Sequence, residues 1–146
     1  MRVSFALGNR DVIARFRAFR SQIDYGMFYP IQAGAVAALT GPQDIVRRNR
    51  EGYMARRDAL CGGLRRIGWD VPDAQGTMFV WAKIPAHFAS SVDFVLELME
   101  KTGVICVPGS SFGEQGEGYV RFALVVPPER MEEAVRRIDE SGILKG

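Results

Sequence analysis

Residues 119–126 read YVRFALVV, with Gly118 before them and Pro127-Pro128 after. Apart from Arg121 the run is apolar, rich in β-branched and aromatic side chains, and closed by prolines, so it reads as a strand. The proline pair suits the first turn of a helix, and Met131, Ala134, Val135 and Ile138 follow on one helical face. Working upstream, PGSSFGEQGEG (108–118) is a glycine-rich loop and Val104–Val107 a short strand. Ser90 to Lys101 is a helix with Phe94, Val95, Leu98 and Met99 inward. Thr77–Ile84 (TMFVWAKI) is a longer strand and Trp69–Val71 a short one. The order from residue 69 is therefore β-β-α-β-β-α, a small two-layer α/β sandwich with helices over one face of the sheet.

Further upstream, Thr40-Gly41-Pro42-Gln43 has the residues of a capping box with a first-turn proline. Ile45, Val46, Asn49, Tyr53, Leu60, Leu64 and Ile67 then hold one face as far as Gly68. Such a helix is roughly 40 Å long and connects two bodies, with a boundary expected near Arg50 to Tyr53. Before it, Val3–Leu7 reads as a strand and Asn9 as the cap of a helix carrying Val12, Ile13, Phe16, Phe19 and Ile23. Gly26 and Pro30 interrupt the aromatic stretch DYGMFYPIQ (24–32), and Ile31–Leu39, rich in alanine, reads as a short buried helix. A lone strand cannot form a sheet. Residues 1–45 are accordingly expected to be the tail of a larger α/β domain, and residues 46–146 the connecting helix and a small C-terminal domain.

The chain has 146 residues, 47% apolar and 25% charged, which is globular rather than disordered composition. No apolar run approaches the ~18 residues of a membrane span. The opening MRVSFALGNRD lacks the apolar core and cleavage site of a signal peptide. Two cysteines, Cys61 and Cys106, are too few for a disulfide framework and point to a cytoplasmic setting. The net charge of +2 argues against nucleic acid as a partner. Most of the 16 arginines sit beside acids on helix faces, as Arg56 and Arg57 do with Asp58, and read as solvated surface.

Few residues point to chemistry. His87 is the only histidine and no Cys-x-x-Cys is present, so no metal site is expected. Both cysteines read as small core residues. The 108–118 loop lacks the G-K-[ST] of a phosphate loop and leads into a strand, so it is either structural or the border of a ligand pocket. Arg121 is the most informative position. A permanent charge within an apolar strand needs an anion. That anion is either a surface acid, if the strand lies at an edge, or the carboxylate of a ligand held by two parallel N–H···O bonds. Arg2 by itself reads as solvent-exposed.

Five segments taken in order resemble the C-terminal part of fold-type I, class I/II pyridoxal-phosphate-dependent aminotransferases of the alanine/aspartate-type branch. They are Arg2-Val3-Ser4-Phe5, Asp24-Tyr25-Gly26 through Pro30-Ile31-Gln32, Gly76-Thr77-Met78-Phe79-Val80-Trp81, Val107-Pro108-Gly109 with Phe112-Gly113, and Gly118-Tyr119-Val120-Arg121-Phe122. The resemblance implies pyridoxal 5'-phosphate as cofactor, amino acids and 2-oxo acids as substrates, and a homodimer. It implies that Arg2 binds the cofactor phosphate, as the arginine of the family pattern S-K-x-x-x-x-x-G-x-R-x-G does, with Ser4 where that pattern has glycine. It implies that Arg121 grips the substrate α-carboxylate, that Tyr25 approaches the cofactor near the dimer interface, and that Phe79 lines the substrate pocket. Lys83, Lys101 and Lys145 do not match the motif of the Schiff-base lysine, so no catalytic residue is assigned within this chain. Met1 reads as an internal methionine serving as a start, and the chain alone is expected to be inactive. The alternative is a non-catalytic domain of the same fold that dimerises or senses an amino acid or the cofactor.

Overall fold

Alternation in the two apolar runs becomes an antiparallel pair, β1 (Phe79–Lys83) with β3 (Tyr119–Ala123), in a computed structural model that describes residues 2–145. Phe79 lies opposite Ala123, Trp81 opposite Arg121 and Lys83 opposite Tyr119. The two-residue strand β2 (Val107–Pro108) pairs with the other side of β3, again antiparallel, with Val107 opposite Arg121. The order β1-β3-β2 therefore makes β3 the central strand. Period two sends Val80, Ala82, Val120 and Phe122 to one face, where all are buried. Phe79, Trp81, Arg121 and Tyr119 go to the other, more open face.

Three helices cover the buried face. The helix α3 (Asp44–Arg66) contributes Leu60, Cys61 and Leu64 to the core. The helix α4 (Ser91–Thr102) contributes Phe94 and Leu98, and α5 (Pro128–Ser141) contributes Met131, Val135 and Ile138. Phe94 is fully buried, with the Trp69 and Phe88 rings edge-on to it at 5.4 and 5.0 Å. Ser90, expected as the first residue of α4, instead caps it, its Oγ accepting from the Asp93 N–H at 3.1 Å.

The contacts divide the chain into two units, one through Arg47 and one from Arg48 onward. The first unit holds α1 (Arg10–Arg20), α2 (Tyr29–Thr40) and the start of α3. Asn9 caps α1, accepting from the Asp11 and Val12 N–H groups at 2.9 and 3.3 Å. Neither α1 nor α2 has a buried residue, so the alanine-rich stretch forms the expected helix but not a buried one. No described helix is long and apolar enough to cross a membrane.

Several local expectations are corrected. Val3–Leu7 forms no strand: it carries no regular secondary structure and pairs with none of the described strands. Trp69–Val71 is not a strand: Val71 is buried, but the segment is held by side chains. The Trp69 Nε1–H donates to the Lys83 carbonyl at 2.7 Å, and Arg65 Nη1 donates to the Val71 carbonyl at 2.8 Å. Of Val104–Val107 only Val107 enters the sheet. Thr40 does not cap α3. It is the last residue of α2, its hydroxyl donating back to the Val36 carbonyl at 2.8 Å, while the Gln43 amide donates to the carbonyls of Ala38 and Gly41. The helix α3 thus starts only at Asp44, and its 23 residues span about 34 Å. Pro30 opens α2 instead of breaking it. Met1 lies outside the described residues.

Candidate functional site: the open face of the sheet

The open face converges on Arg121. Central placement removes the edge-strand reading: β3 is paired on both sides, and among the described residues no acid reaches the Arg121 guanidinium. The guanidinium carbon lies 4.1 Å from the centroid of the Phe79 ring and 4.3 Å from that of Phe112. Its Nε is buried and has no hydrogen-bond partner. Aromatic faces attract a cation electrostatically, but they leave its N–H donors unused, and all of those donors lie in the guanidinium plane. The site is a cation held against two rings, with no hydrogen-bonded anion among the described residues.

Local structure places each part of this arrangement. Phe79 follows Thr77, whose φ of 68° is unusual for a β-branched residue. The Thr77 Oγ1 accepts from the Phe79 N–H at 3.1 Å, so the turn that costs backbone strain also locks the start of β1. Phe112 ends a 3-10 turn, Gly109–Phe112, and a second turn, Glu114–Gly116, folds back on it. A Cβ on Gly109 would collide with the Gly116 carbonyl oxygen, so this backbone crossing admits glycine alone. Trp81 adds an edge-on contact to Phe112 at 5.4 Å and to Tyr119 at 6.3 Å.

The loop is tied to α4 by Glu117. Its carboxylate accepts from the Gly118 N–H at 2.7 Å, from the Ser91 N–H at 2.6 Å and from the Ser91 hydroxyl at 3.2 Å. Those bonds, the Gly118 one first, hold its pKa below the usual carboxylate value. Ser91 and Ser110 are joined hydroxyl to hydroxyl at 3.1 Å. The 108–118 loop is thus a structural loop that also supplies a wall of the site. A cavity of about 540 Å³ opens elsewhere on the same unit, lined by Tyr53, Met54, Arg57, Thr77, Met78 and Leu124 among others. Arg57 there is already paired with Asp58 at 2.6 Å.

Among the residues singled out in the sequence, Arg121 and Phe79 meet directly. Arg2 and Tyr25 belong to the first unit, and both are exposed. Arg2 has no acid partner among the described residues. Tyr25 stands free on the turn between α1 and α2, where Asp24 bonds the Gly26 N–H at 3.2 Å and Arg20 at 2.9 Å. His87 is exposed. Cys61 and Cys106 are core residues, and desolvation pushes the Cys106 thiol up to about 12. Phe112, whose ring lies against Arg121, was not singled out in the sequence as a site residue. Its signal was one large aromatic in a loop otherwise built of Pro, Gly, Ser, Glu and Gln.

The family model described as aminotransferase class I and II matches residues 1–138. LL-diaminopimelate aminotransferase of Halothermothrix orenii is 44% identical over 142 residues, covering 97% of this chain and 36% of that protein. Glutamate-pyruvate aminotransferase AlaC of Escherichia coli is 40% identical over 139 residues, covering 94% and 34%. The solved structure of an aminotransferase from Staphylococcus aureus superposes with a TM-score of 0.86 at 28% identity, covering 96% of this chain and 37% of that one. The chain spans about a third of the length of the curated relatives it matches. A family match over nearly the whole sequence, with a sheet and helices that superpose on solved members, places this chain in the aminotransferase class I and II family.

Proposed function

We propose that the complete protein carrying this chain is a pyridoxal-phosphate-dependent aminotransferase that exchanges an amino group between an amino acid and a 2-oxo acid. Residues 1–45 are the tail of its large domain, and residues 46–146 form the connecting helix and the small domain. It works as a cytoplasmic homodimer, with Tyr25 near the dimer interface and the cofactor. The observation that carries the reading is Arg121: a buried Nε without a partner, on a central strand, with no acid among the described residues to neutralise it.

The donor set fits an anionic cofactor and an anionic substrate. Arg2 is an exposed guanidinium without an acid partner among the described residues and would hold the cofactor phosphate. When bound, the cofactor supplies an electron sink for the amino-bearing carbon. Arg121 binds the α-carboxylate that donor and acceptor share, and its planar fork fixes the orientation of that carboxylate. Phe79 covers one side of the guanidinium and excludes water from it. Relatives named for LL-diaminopimelate and for glutamate and pyruvate stand at similar identity, 44% and 40%, so both kinds of donor belong in the assay.

The test is Arg121→Lys in the complete protein. Lysine keeps the charge and loses the bidentate geometry, so kcat/KM should fall for amino acid and oxo acid together, by about 2–5 kcal/mol in transition-state binding. Cofactor affinity, followed by titration, should change little. Unchanged kcat/KM for both substrates, or loss of cofactor with substrate use intact, would refute the assignment.

A further inference from the structure

We propose that Phe112 is a positioning residue for carboxylate recognition: with Phe79 it clamps the Arg121 guanidinium between two ring faces and fixes the plane in which the free N–H edge is presented. This rests on the reading of Arg121 as the carboxylate anchor. The two ring centroids lie 4.1 and 4.3 Å from the guanidinium carbon. The donors of a guanidinium lie in its plane, so two rings over which its carbon sits would cover its faces, block water and leave the in-plane donors for a ligand. A free arginine side chain loses much rotamer freedom when it binds. A clamped one has lost it in advance, and preorganisation of this kind strengthens binding.

The clamp is itself held from both sides. Phe79 is locked through the Thr77 turn at φ 68°. Phe112 is braced by the edge of Trp81 at 5.4 Å, and its loop by the glycine crossing of Gly109 and Gly116 and by the Ser91–Ser110 bond at 3.1 Å. Phe112 is otherwise a poorly buried aromatic, 48% exposed, in a polar loop. Core packing does not account for it.

The experiment compares Phe112→Leu, which removes the ring face, and Phe112→Tyr, which keeps it, beside Arg121→Lys, all in the full-length enzyme. Phe112→Leu should raise KM for the amino acid and for the oxo acid about tenfold, the range of a desolvated cation–ring contact, and raise it more than it lowers kcat. Phe112→Tyr should recover most of that loss. If Phe112→Leu leaves both KM values within about twofold while Arg121→Lys impairs both substrates, the clamp is refuted and the anchor stands. Equal damage by Leu and Tyr also refutes it, because a purely steric role does not depend on the ring. If Arg121→Lys is silent for both substrates, anchor and clamp fall together. A readout that needs no variant to fold is the proton resonance of the Arg121 Nε–H in the 146-residue chain. Ring currents from both faces should shift it upfield of the exposed arginines, and a position among those arginines would overturn the proposal.

Discussion

Glu117 lies in water, yet its carboxylate accepts two backbone N–H bonds, one of them from the first residue of α4. Those bonds favour the ionised form, so its folded pKa lies below the ordinary value of 4.5. A depressed folded pKa contributes stability that is complete above the unfolded value and lost as pH falls through the folded one. Protection of the Ser91 and Gly118 amides from hydrogen exchange should therefore drop on acidification below about 4.5, with the core of β1 and β3 unaffected. In Glu117→Gln that protection should be lower at neutral pH and insensitive to acid. Unchanged protection through this window in the parent chain would refute the role. None of this was visible in the sequence, where Glu117 is one acid in a glycine-rich loop: its partner Ser91 is 26 residues away. Arg121 was visible, because a permanent charge in an apolar run is anomalous wherever it sits. Its central position was not, because strand order depends on pairings that span the domain.

Among the elements, those with long amphipathic periods were legible. The helices α4 and α5 and the strands β1 and β3 lie where spacing, caps and prolines put them, since local chemistry and core burial agree there. The misses are short segments whose conformation is decided by a distant partner. Trp69–Val71 is apolar enough for a strand, but indole and guanidinium bonds hold it outside the ladder. Thr40 and Gln43 spell a capping box, but α2 runs on through Thr40, and both side chains bond backward to its carbonyls. The 108–118 loop behaves as an element in its own right, because two glycine backbones cross within it. Gly109→Ala would force a Cβ into the Gly116 carbonyl oxygen. The loop must open to admit it, at about 3 kcal/mol, the upper end of ordinary overpacking. Chemical denaturation should report that loss, and a midpoint equal to the parent's would disprove the close crossing.

At the scale of the molecule, the two units differ in what they bury. From Arg48 onward the chain encloses an apolar core, while the first unit leaves Val12, Phe16 and Phe28 at 62%, 48% and 71% exposure. Under the proposed function the chemistry also divides among parts, and this chain would supply handles for anions: Arg121 for a carboxylate and Arg2 for a phosphate. The reactive amine is a separate requirement. A lysine activated for this chemistry is desolvated or set beside another cation. Lys83, Lys101 and Lys145 are all exposed, and Lys101 is bound to Glu97 at 2.7 Å. The purified 146-residue chain, incubated with pyridoxal phosphate, an amino donor and a 2-oxo acid, should give no turnover beyond that of the free cofactor. A variant with all three lysines replaced by alanine should behave the same. Turnover in the parent that disappears in the lysine-free variant would mean that one of these three amines is catalytically competent, and would overturn the division of roles drawn here.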